Sequence, residues 1–164
     1  MIHVLDANCF MESKDRFYRF AVCPGYWDWL VRANQVGKVY SVVQIQQELV
    51  SGGGELSTRA TGQLASLFLP PNQAVVAEYA AIVAWIQTHA QYRQSAKDRF
   101  LAGADPWLIA CAKANRMTVV TLEVPAPASL NDIKIPDVCN AFGVVVKNPF
   151  QMLEDEGAVF ILEI

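Results

Sequence analysis

The sequence predicts a three-layer α/β sandwich, in which helices cover both faces of a central parallel sheet. Short apolar runs alternate along the chain with segments whose apolar residues recur at helical spacing. The runs are apolar throughout, as expected of strands that are buried on both faces. The chain has 164 residues, of which 53% are hydrophobic and 18% charged. That length and composition favour one domain with a sizeable core and argue against disorder.

The first half of the chain supplies two predicted strands and three predicted helices. Ile2–Leu5 is an apolar run that is followed by a turn at Asp6-Ala7-Asn8. Pro24 is expected to open a helix, because proline suits the first helical position. Gly52-Gly53-Gly54 follows a helical segment and predicts a helix end with a flexible link rather than a phosphate loop. The elements after the first strand are a helix from Pro24 to Asn34, a strand Lys38–Ser41, a helix from Val42 to about Val50 capped by Ser41, and a helix Glu55–Phe68.

The second half continues the same alternation. Asn72 is expected to cap a helix that extends to about Ala90. The polar stretch Gln91–Arg99 has no predicted element. Asp105-Pro106 starts another helix, and Met117–Leu122 is a continuous, β-branched run typical of a parallel strand. The remaining predictions are a loop Val124–Leu130, a helix Ile135–Phe142, a strand Val144–Val146, a helix Pro149–Leu153 and an edge strand Val159–Ile164.

Charge and cysteine content exclude several classes of protein. The net charge of −3 excludes a generally cationic nucleic-acid binder, but it allows an acidic site that reaches phosphates through a divalent metal. The four cysteines form no CxxC pair, so a zinc site of the usual spacing is not expected. No GxGxxG motif follows a predicted strand, so dinucleotide binding is not supported. Serine or cysteine hydrolase chemistry is not supported either, because the sequence offers no convincing histidine partner for the nucleophile.

The same features predict where the protein acts. Reduced thiols are typical of cytoplasmic proteins. The sequence MIHVLDANCF has no basic start followed by a long apolar run, as a signal peptide would. Apolar stretches fall far short of the ~20 residues that a membrane span needs. We therefore expect a cytoplasmic protein without a membrane segment.

Four carboxylates are expected near one edge of the sheet. Asp6 directly follows the first strand, and Glu123 directly follows the strand Met117–Leu122. Asp105 begins the helix that leads into that strand, and Glu48 lies near the end of the helix after the second strand, at the boundary of its buried face. Ligands of open parallel sheets bind beyond the carboxyl ends of the strands, so these side chains are candidates for a site.

Each carboxylate also has a structural explanation. Asp6 could close an Asx turn, and Asp105 before Pro106 is a typical N-cap. Glu48 on a helix and Glu123 before a loop could simply be solvated. The coincidence of all four at one edge argues against these explanations together. Clustered carboxylates repel one another, and hard divalent cations relieve that repulsion. The sequence therefore predicts a site for Mg²⁺ or Mn²⁺.

The motifs that carry these residues resemble those of PIN domains. The segment IHVLDAN at residues 2–8 resembles the family's opening hhhhDxN pattern. The second acidic motif is similar to VYS at 39–41 with the helix that carries Glu48 and Leu49. The family's ADxxIxAxA helix resembles ADPWLIACA at 104–112, and the next strand is similar to VVTLE at 119–123. The resemblance covers roughly residues 1–150. It implies one PIN-like domain over 1–164, with a core of about 1–150 and a tail of 151–164.

The resemblance implies an α/β/α fold and a metal-dependent endoribonuclease, with RNA as the substrate. Many bacterial members are toxins held inactive by a cognate antitoxin. By correspondence, Asp6, Glu48 and Asp105 are the core catalytic carboxylates that bind Mg²⁺ or Mn²⁺. Glu123 is the fourth, at a position where many members carry Thr-x-Asp. A metal-activated water would attack the phosphodiester in line.

Four further residues are candidates for substrate binding: Asn8, Thr121, Lys14 and Arg16. Asn8 could orient Asp6, touch substrate or serve the turn, and Thr121 could position a carboxylate or a water, or be structural. Lys14 and Arg16 alternate with Phe17 and neighbouring aromatic residues. Such a segment could contact an RNA backbone and stack a base, or be an ordinary amphipathic surface.

Two other functions and one form of assembly stay open at this point. A phosphatase of the haloacid-dehalogenase kind would use Asp6 as its nucleophile, although Asn8 stands where that class carries a second acid. A non-catalytic PIN-like module would act through protein contacts alone. The apolar tail Val159–Ile164 would be hazardous on an uncovered sheet edge, which favours a homo-oligomer or a protein partner.

Overall fold

The fold is a five-stranded parallel sheet surrounded by helices. A computed structural model describes residues 1–161. The strands are β1 (His3–Leu5), β2 (Val39–Val42), β3 (Phe68–Leu69), β4 (Thr118–Val120) and β5 (Val146–Lys147). Their order across the sheet is β3-β2-β1-β4-β5, and every neighbouring pair is parallel. The predicted α/β fold class is confirmed.

The helices connect these strands in the order that the sequence predicts, with one additional helix after β1 and one before the helix at Asp105. They are α1 (Ala7–Glu12), α2 (Pro24–Gln35), α3 (Val43–Ser51), α4 (Gly54–Thr61), α5 (Gln73–Thr88), α6 (Gln94–Ala102), α7 (Asp105–Asn115), α8 (Ile135–Phe142) and α9 (Pro149–Asp155). A π-helical turn, Ser13–Phe17, continues α1, and a 3₁₀ turn, Ala65–Leu67, precedes β3. In the described part of the chain, no helix is long and apolar enough to cross a membrane.

One part of the core lies between the sheet and helix α7, which contacts β1, β2 and β4 and packs on α5. Five consecutive residues of α7, from Leu108 to Ala112, are buried, as are Val4 and Leu5 of β1 and Val119 and Val120 of β4. Burial on all sides explains why these segments are apolar throughout. Burying one such aliphatic side chain contributes about 1.5–3 kcal/mol.

Two predictions in the first half are wrong. Ser41 does not cap the next helix, because the chain stays extended through Val42 and the Ser41 hydroxyl donates to the carbonyl of Leu5 (2.7 Å). The helix predicted over Glu55–Phe68 ends at Thr61, since Gly62 leaves the helical conformation. Phe68 and Leu69 instead pair with Ser41 and Val42, and thereby form the edge strand.

Two further predictions fail in the second half. The polar stretch from Gln91 contains helix α6, in which Ala96 and Phe100 are buried and Lys97 donates to the carbonyl of Gln87 (2.9 Å). The residues of the predicted edge strand Val159–Ile164 that the structure describes, 159–161, form no strand, and 162–164 lie outside the described residues. Phe160 packs instead near Tyr18 and Tyr26, with ring centroids 6.0 and 6.3 Å apart.

Candidate active site

The candidate site lies where the order of the strands reverses. β1 and β4 are neighbours, with Leu5 opposite Val120, and the chain enters β2 on one side of β1 and β4 on the other. Such a switch point leaves a crevice at the carboxyl ends of the two strands, which is where ligands bind in open parallel sheets. Asp6 follows β1 and Thr121 follows β4, so both side chains belong to this crevice.

Asp6 is buried and held from two sides. It is 5% exposed and is the N-cap of α1, with Oδ1 accepting a hydrogen bond from the Ala7 N–H (2.6 Å). Oδ2 accepts from the Thr121 hydroxyl (2.8 Å). Burial raises the pKa of Asp6 from 3.8 to about 6, and the charges of Glu123 and Glu48 add to this, while the two hydrogen bonds oppose it. The Oδ1 bond goes to the next residue, whereas the predicted Asx turn would accept from the residue two positions further on.

The Thr121 hydroxyl is the centre of a small network. It donates to Asp6 and accepts from the Asn8 side-chain amide (3.1 Å) and from the Glu123 N–H (3.1 Å). Asn8 Oδ1 also accepts from the Leu122 N–H (3.1 Å). These bonds tie the start of α1 to the chain after β4. Asn8 therefore acts on Asp6 through Thr121, and Thr121 positions a carboxylate.

This network makes Thr121 testable. Thr121→Val removes the hydroxyl but keeps the volume, which leaves Asp6 Oδ2 buried without its donor. We expect a loss of about 1–3 kcal/mol in the free energy of unfolding. Because the hydroxyl lowers the pKa of Asp6, any activity that needs ionised Asp6 should shift to higher pH. Urea unfolding and a pH profile measure both, and Thr121→Ser is the matched control. A wild-type profile in a folded Thr121→Val protein would contradict the positioning role.

Asp105 does not cap its helix, contrary to one of the two explanations drawn from its sequence. It is the first residue of α7, and the N-cap is Ala104, which makes no side-chain bond. The Ala104 N–H donates instead to Glu48 Oε1 (3.1 Å). Within the described residues the Asp105 carboxylate has no hydrogen-bond donor. Burial raises its pKa from 3.8 to about 7, with further contributions from Asp6, Glu123 and Glu48 and a small opposing one from Lys134.

The two glutamates are held by backbone N–H groups. Glu48 lies on α3 and is exposed, rather than at the boundary of a buried face, and its Oε1 bonds Ala104 as described. Glu123 is partly buried, and its Oε2 accepts from the Ile135 N–H at the start of α8 (2.8 Å). Its Oε1 lies 3.9 Å from the Lys134 ammonium. Both helix starts, α7 and α8, are thus oriented by these carboxylates.

The four carboxylates share one electrostatic environment. Asp6, Glu48 and Glu123 each raise the pKa of Asp105, and Glu48 and Glu123 raise that of Asp6. Four hard oxygen donors with one nearby lysine are the donor chemistry that Mg²⁺ or Mn²⁺ prefers. As the side chains lie, however, no group of three or more His, Cys, Asp or Glu in residues 1–161 is placed to hold a metal ion. The donor set fits such an ion, and binding one would require the side chains to rearrange.

Two depressions adjoin the carboxylates. One has a volume of about 540 Å³ and is lined by Glu48, Trp107 and the chain at Gly103 and Ala104, among others. The other, about 400 Å³, is lined by Thr121 and Glu123 together with α9 residues. We call the second depression the β4 groove. Each depression offers a substrate a route to at least one of the carboxylates.

The basic candidates lie on the π-helical turn. Lys14 pairs with Asp15 (2.9 Å) and Arg16 pairs with Glu12 (3.0 Å), both at the surface. Neither residue contacts the four carboxylates through a hydrogen bond or ion pair within the described residues. Lys134 was missed by the sequence reasoning, although a signal exists. Lys134 is at the N-cap of α8, where a positive charge is disfavoured by the helix dipole. An unfavourable position of this kind indicates that an acidic side chain lies nearby.

Two solved structures have folds similar to that of this chain. FitAcB from Neisseria gonorrhoeae is 22% identical, with a TM-score of 0.53 over 91% of this chain and 99% of that one. FitAB bound to an IR36 DNA fragment is 23% identical, with a TM-score of 0.54 over 91% and 96%. No curated protein matches the chain. The family model described as "Domain of unknown function (DUF4411)" matches residues 3–160. Since that match spans nearly the whole chain, the protein belongs to the DUF4411 family.

Proposed function

We propose that the protein is a metal-dependent endoribonuclease and the toxin of a toxin–antitoxin pair in the cytoplasm. The observation that carries the proposal is that Asp6 and Asp105 both have raised pKa values, because they are buried and lie close enough to Glu48 and Glu123 to feel their charges. Such perturbed acids in a crevice are typical of functional sites. The resemblance of the motifs to PIN domains supports the nuclease assignment.

Asp6, Glu48, Asp105 and Glu123 would hold one or two Mg²⁺ or Mn²⁺ ions. When bound, the metal supplies a more acidic water and charge stabilisation at the phosphate. The reaction is hydrolysis, in which the water oxygen bonds phosphorus, the ester bond breaks and the leaving oxygen takes up a proton. Thr121 keeps Asp6 in one orientation through its hydroxyl. In the described part of the chain the Asp105 carboxylate accepts no hydrogen bond, so no protein donor there would compete with a bound cation.

The partners in this proposal are an RNA strand and an antitoxin protein. The two solved structures with a similar fold are of FitAcB and of FitAB bound to a DNA fragment. By analogy, this chain would pair with a second protein that restrains it. The analogy concerns the fold alone, and a shared fold does not establish a shared partner. The partner is therefore tested by copurification of this chain with the protein encoded by an adjacent reading frame.

The activity is tested with purified protein and end-labelled single-stranded RNA. We expect cleavage in Mn²⁺ or Mg²⁺, no cleavage in EDTA, and loss of cleavage in Asp6→Asn. Asp28→Asn is the matched control, because Asp28 is exposed on α2. Cleavage that persists in EDTA would overturn the metal-dependent mechanism. Turnover of a phosphate monoester without RNA cleavage would replace it with a phosphatase.

A further inference from the structure

We propose that Phe17 and Phe150 form a stacking platform for one unpaired base of a single-stranded nucleic acid, at the outer end of the β4 groove. The inference rests on the proposed nuclease function and deepens it, since it assigns the place where a substrate base is held. Three features of the structure carry it: an exposed aromatic pair, a groove shared with the candidate site, and basic residues on the segments that carry the pair.

The two phenylalanines come from opposite ends of the chain and meet at the surface. Their ring centroids are 5.2 Å apart with an interplanar angle of 82°, an edge-to-face pair. Phe17 is 44% exposed and Phe150 is 41% exposed. Exposed aromatic rings that are fixed against each other present π-faces to solvent at little entropic cost. Such faces stack on any nucleobase.

The pair is continuous with the candidate active site. Phe150 lines the β4 groove, which Thr121 and Glu123 also line. Thr121 donates directly to Asp6. A strand whose base stacks on Phe150 would therefore follow one groove toward the carboxylates. No sequence pattern links Phe150 to this edge of the sheet.

Basic residues lie on the segments that carry the pair and along the β4 groove, each in an ion pair with a carboxylate. Lys14 and Arg16 precede Phe17 on the π-helical turn. Lys147 lines the β4 groove and pairs with Asp155. Lys134 lies beside Glu123. Their acidic partners are at or near the surface, where ion pairs contribute little and a phosphate can compete. A single strand that exchanged its phosphates for these surface carboxylates would keep its bases free to stack on the aromatic pair.

Binding is tested without cleavage, by fluorescence anisotropy in EDTA with a labelled single-stranded RNA hexamer. Phe150→Leu keeps an apolar side chain but removes the π-face, and we expect Kd to rise about 5- to 150-fold, as for the loss of one stacked base. Phe150→Tyr should bind as the wild type does. Val36→Ala is the control for an exposed apolar side chain far from the groove, since Val36 is 72% exposed and precedes β2.

Two measurements keep the inference falsifiable. An abasic hexamer should bind as weakly to the wild type as the RNA binds to Phe150→Leu, and Phe17→Leu provides a second variant if the first fails to fold. Equal binding of RNA and abasic strand, unchanged binding by both folded variants, or no binding by the wild type overturns the platform. If binding depends on the bases and on Phe150 but the wild type never cleaves RNA, the platform stands and the nuclease fails. If Phe150→Leu cleaves RNA with the KM of the wild type, the nuclease stands and the platform fails.

Discussion

Asp105→Asn is expected to abolish RNA cleavage while the variant melts, in EDTA, at or above the temperature of the wild type. Asparagine has nearly the same shape but no charge, so it cannot supply the anionic oxygen that a divalent ion needs. In the wild type, burial raises the pKa of the Asp105 carboxyl group to about 7, and the charges of Asp6, Glu123 and Glu48 add to this. Removing that charge therefore relieves repulsion in the folded state.

The expected loss of kcat/KM exceeds about 100-fold, because even outer-shell partners of metal sites contribute 10- to 100-fold. No helix cap is lost, since Asp105 makes no capping bond. A gain of 1 kcal/mol would raise Tm by about 2–4 °C in a chain of this size. Single-turnover cleavage and calorimetry measure the two effects, with Asp28→Asn as control. A folded Asp105→Asn protein that cleaves RNA normally would remove Asp105 from the site.

Without divalent metal, the protein should become less stable as the pH rises from about 5 to 8. Asp6 and Asp105 have ordinary pKa values of 3.8, which the fold raises to about 6 and about 7. Between 3.8 and those values the folded state binds more protons than the unfolded state, so stability falls with increasing pH. At about 1.4 kcal/mol per unit of pKa, the two groups together account for about 2–4 kcal/mol over this range.

His3 changes the pH dependence of stability in the opposite direction, so the experiment must separate its contribution from that of the two aspartates. Burial lowers the pKa of His3 below 6.5, so its contribution to stability is lost as the pH falls through that region. The double variant Asp6→Asn, Asp105→Asn keeps His3 and removes the two acids. Urea unfolding at each pH in EDTA should show the decline in the wild type alone. Added Mg²⁺ should reduce the decline, because a bound cation favours the charged carboxylates. Parallel pH profiles for both proteins would contradict the prediction.

The alternation of strands and helices could be predicted because local pattern and burial agree. β1, β2 and β4 are almost wholly buried and rich in apolar residues. Pro24, Asn72 and Pro149 mark helix starts that the structure retains. Helix α6 and strand β3 escaped prediction for a physical reason. The buried positions of α6 include a lysine, whose ammonium reaches the Gln87 carbonyl. β3 has two residues, and its existence depends on pairing with β2.

The sequence by itself determined the fold class and the placement of acids after strands, because carboxyl ends of parallel strands meet at one edge whatever the details of packing. Tertiary structure alone decided what each acid does there. Asp105 does not cap its helix because α7 begins at Asp105 itself, with Ala104 at the N-cap position, and Glu48, distant in sequence, accepts from the Ala104 N–H. Thr121 became the centre of the network around Asp6 because β1 and β4 are neighbours. Phe17 and Phe150 are in contact although they lie far apart in the sequence. Such contacts depend on the packing of the whole chain, which no local sequence pattern encodes.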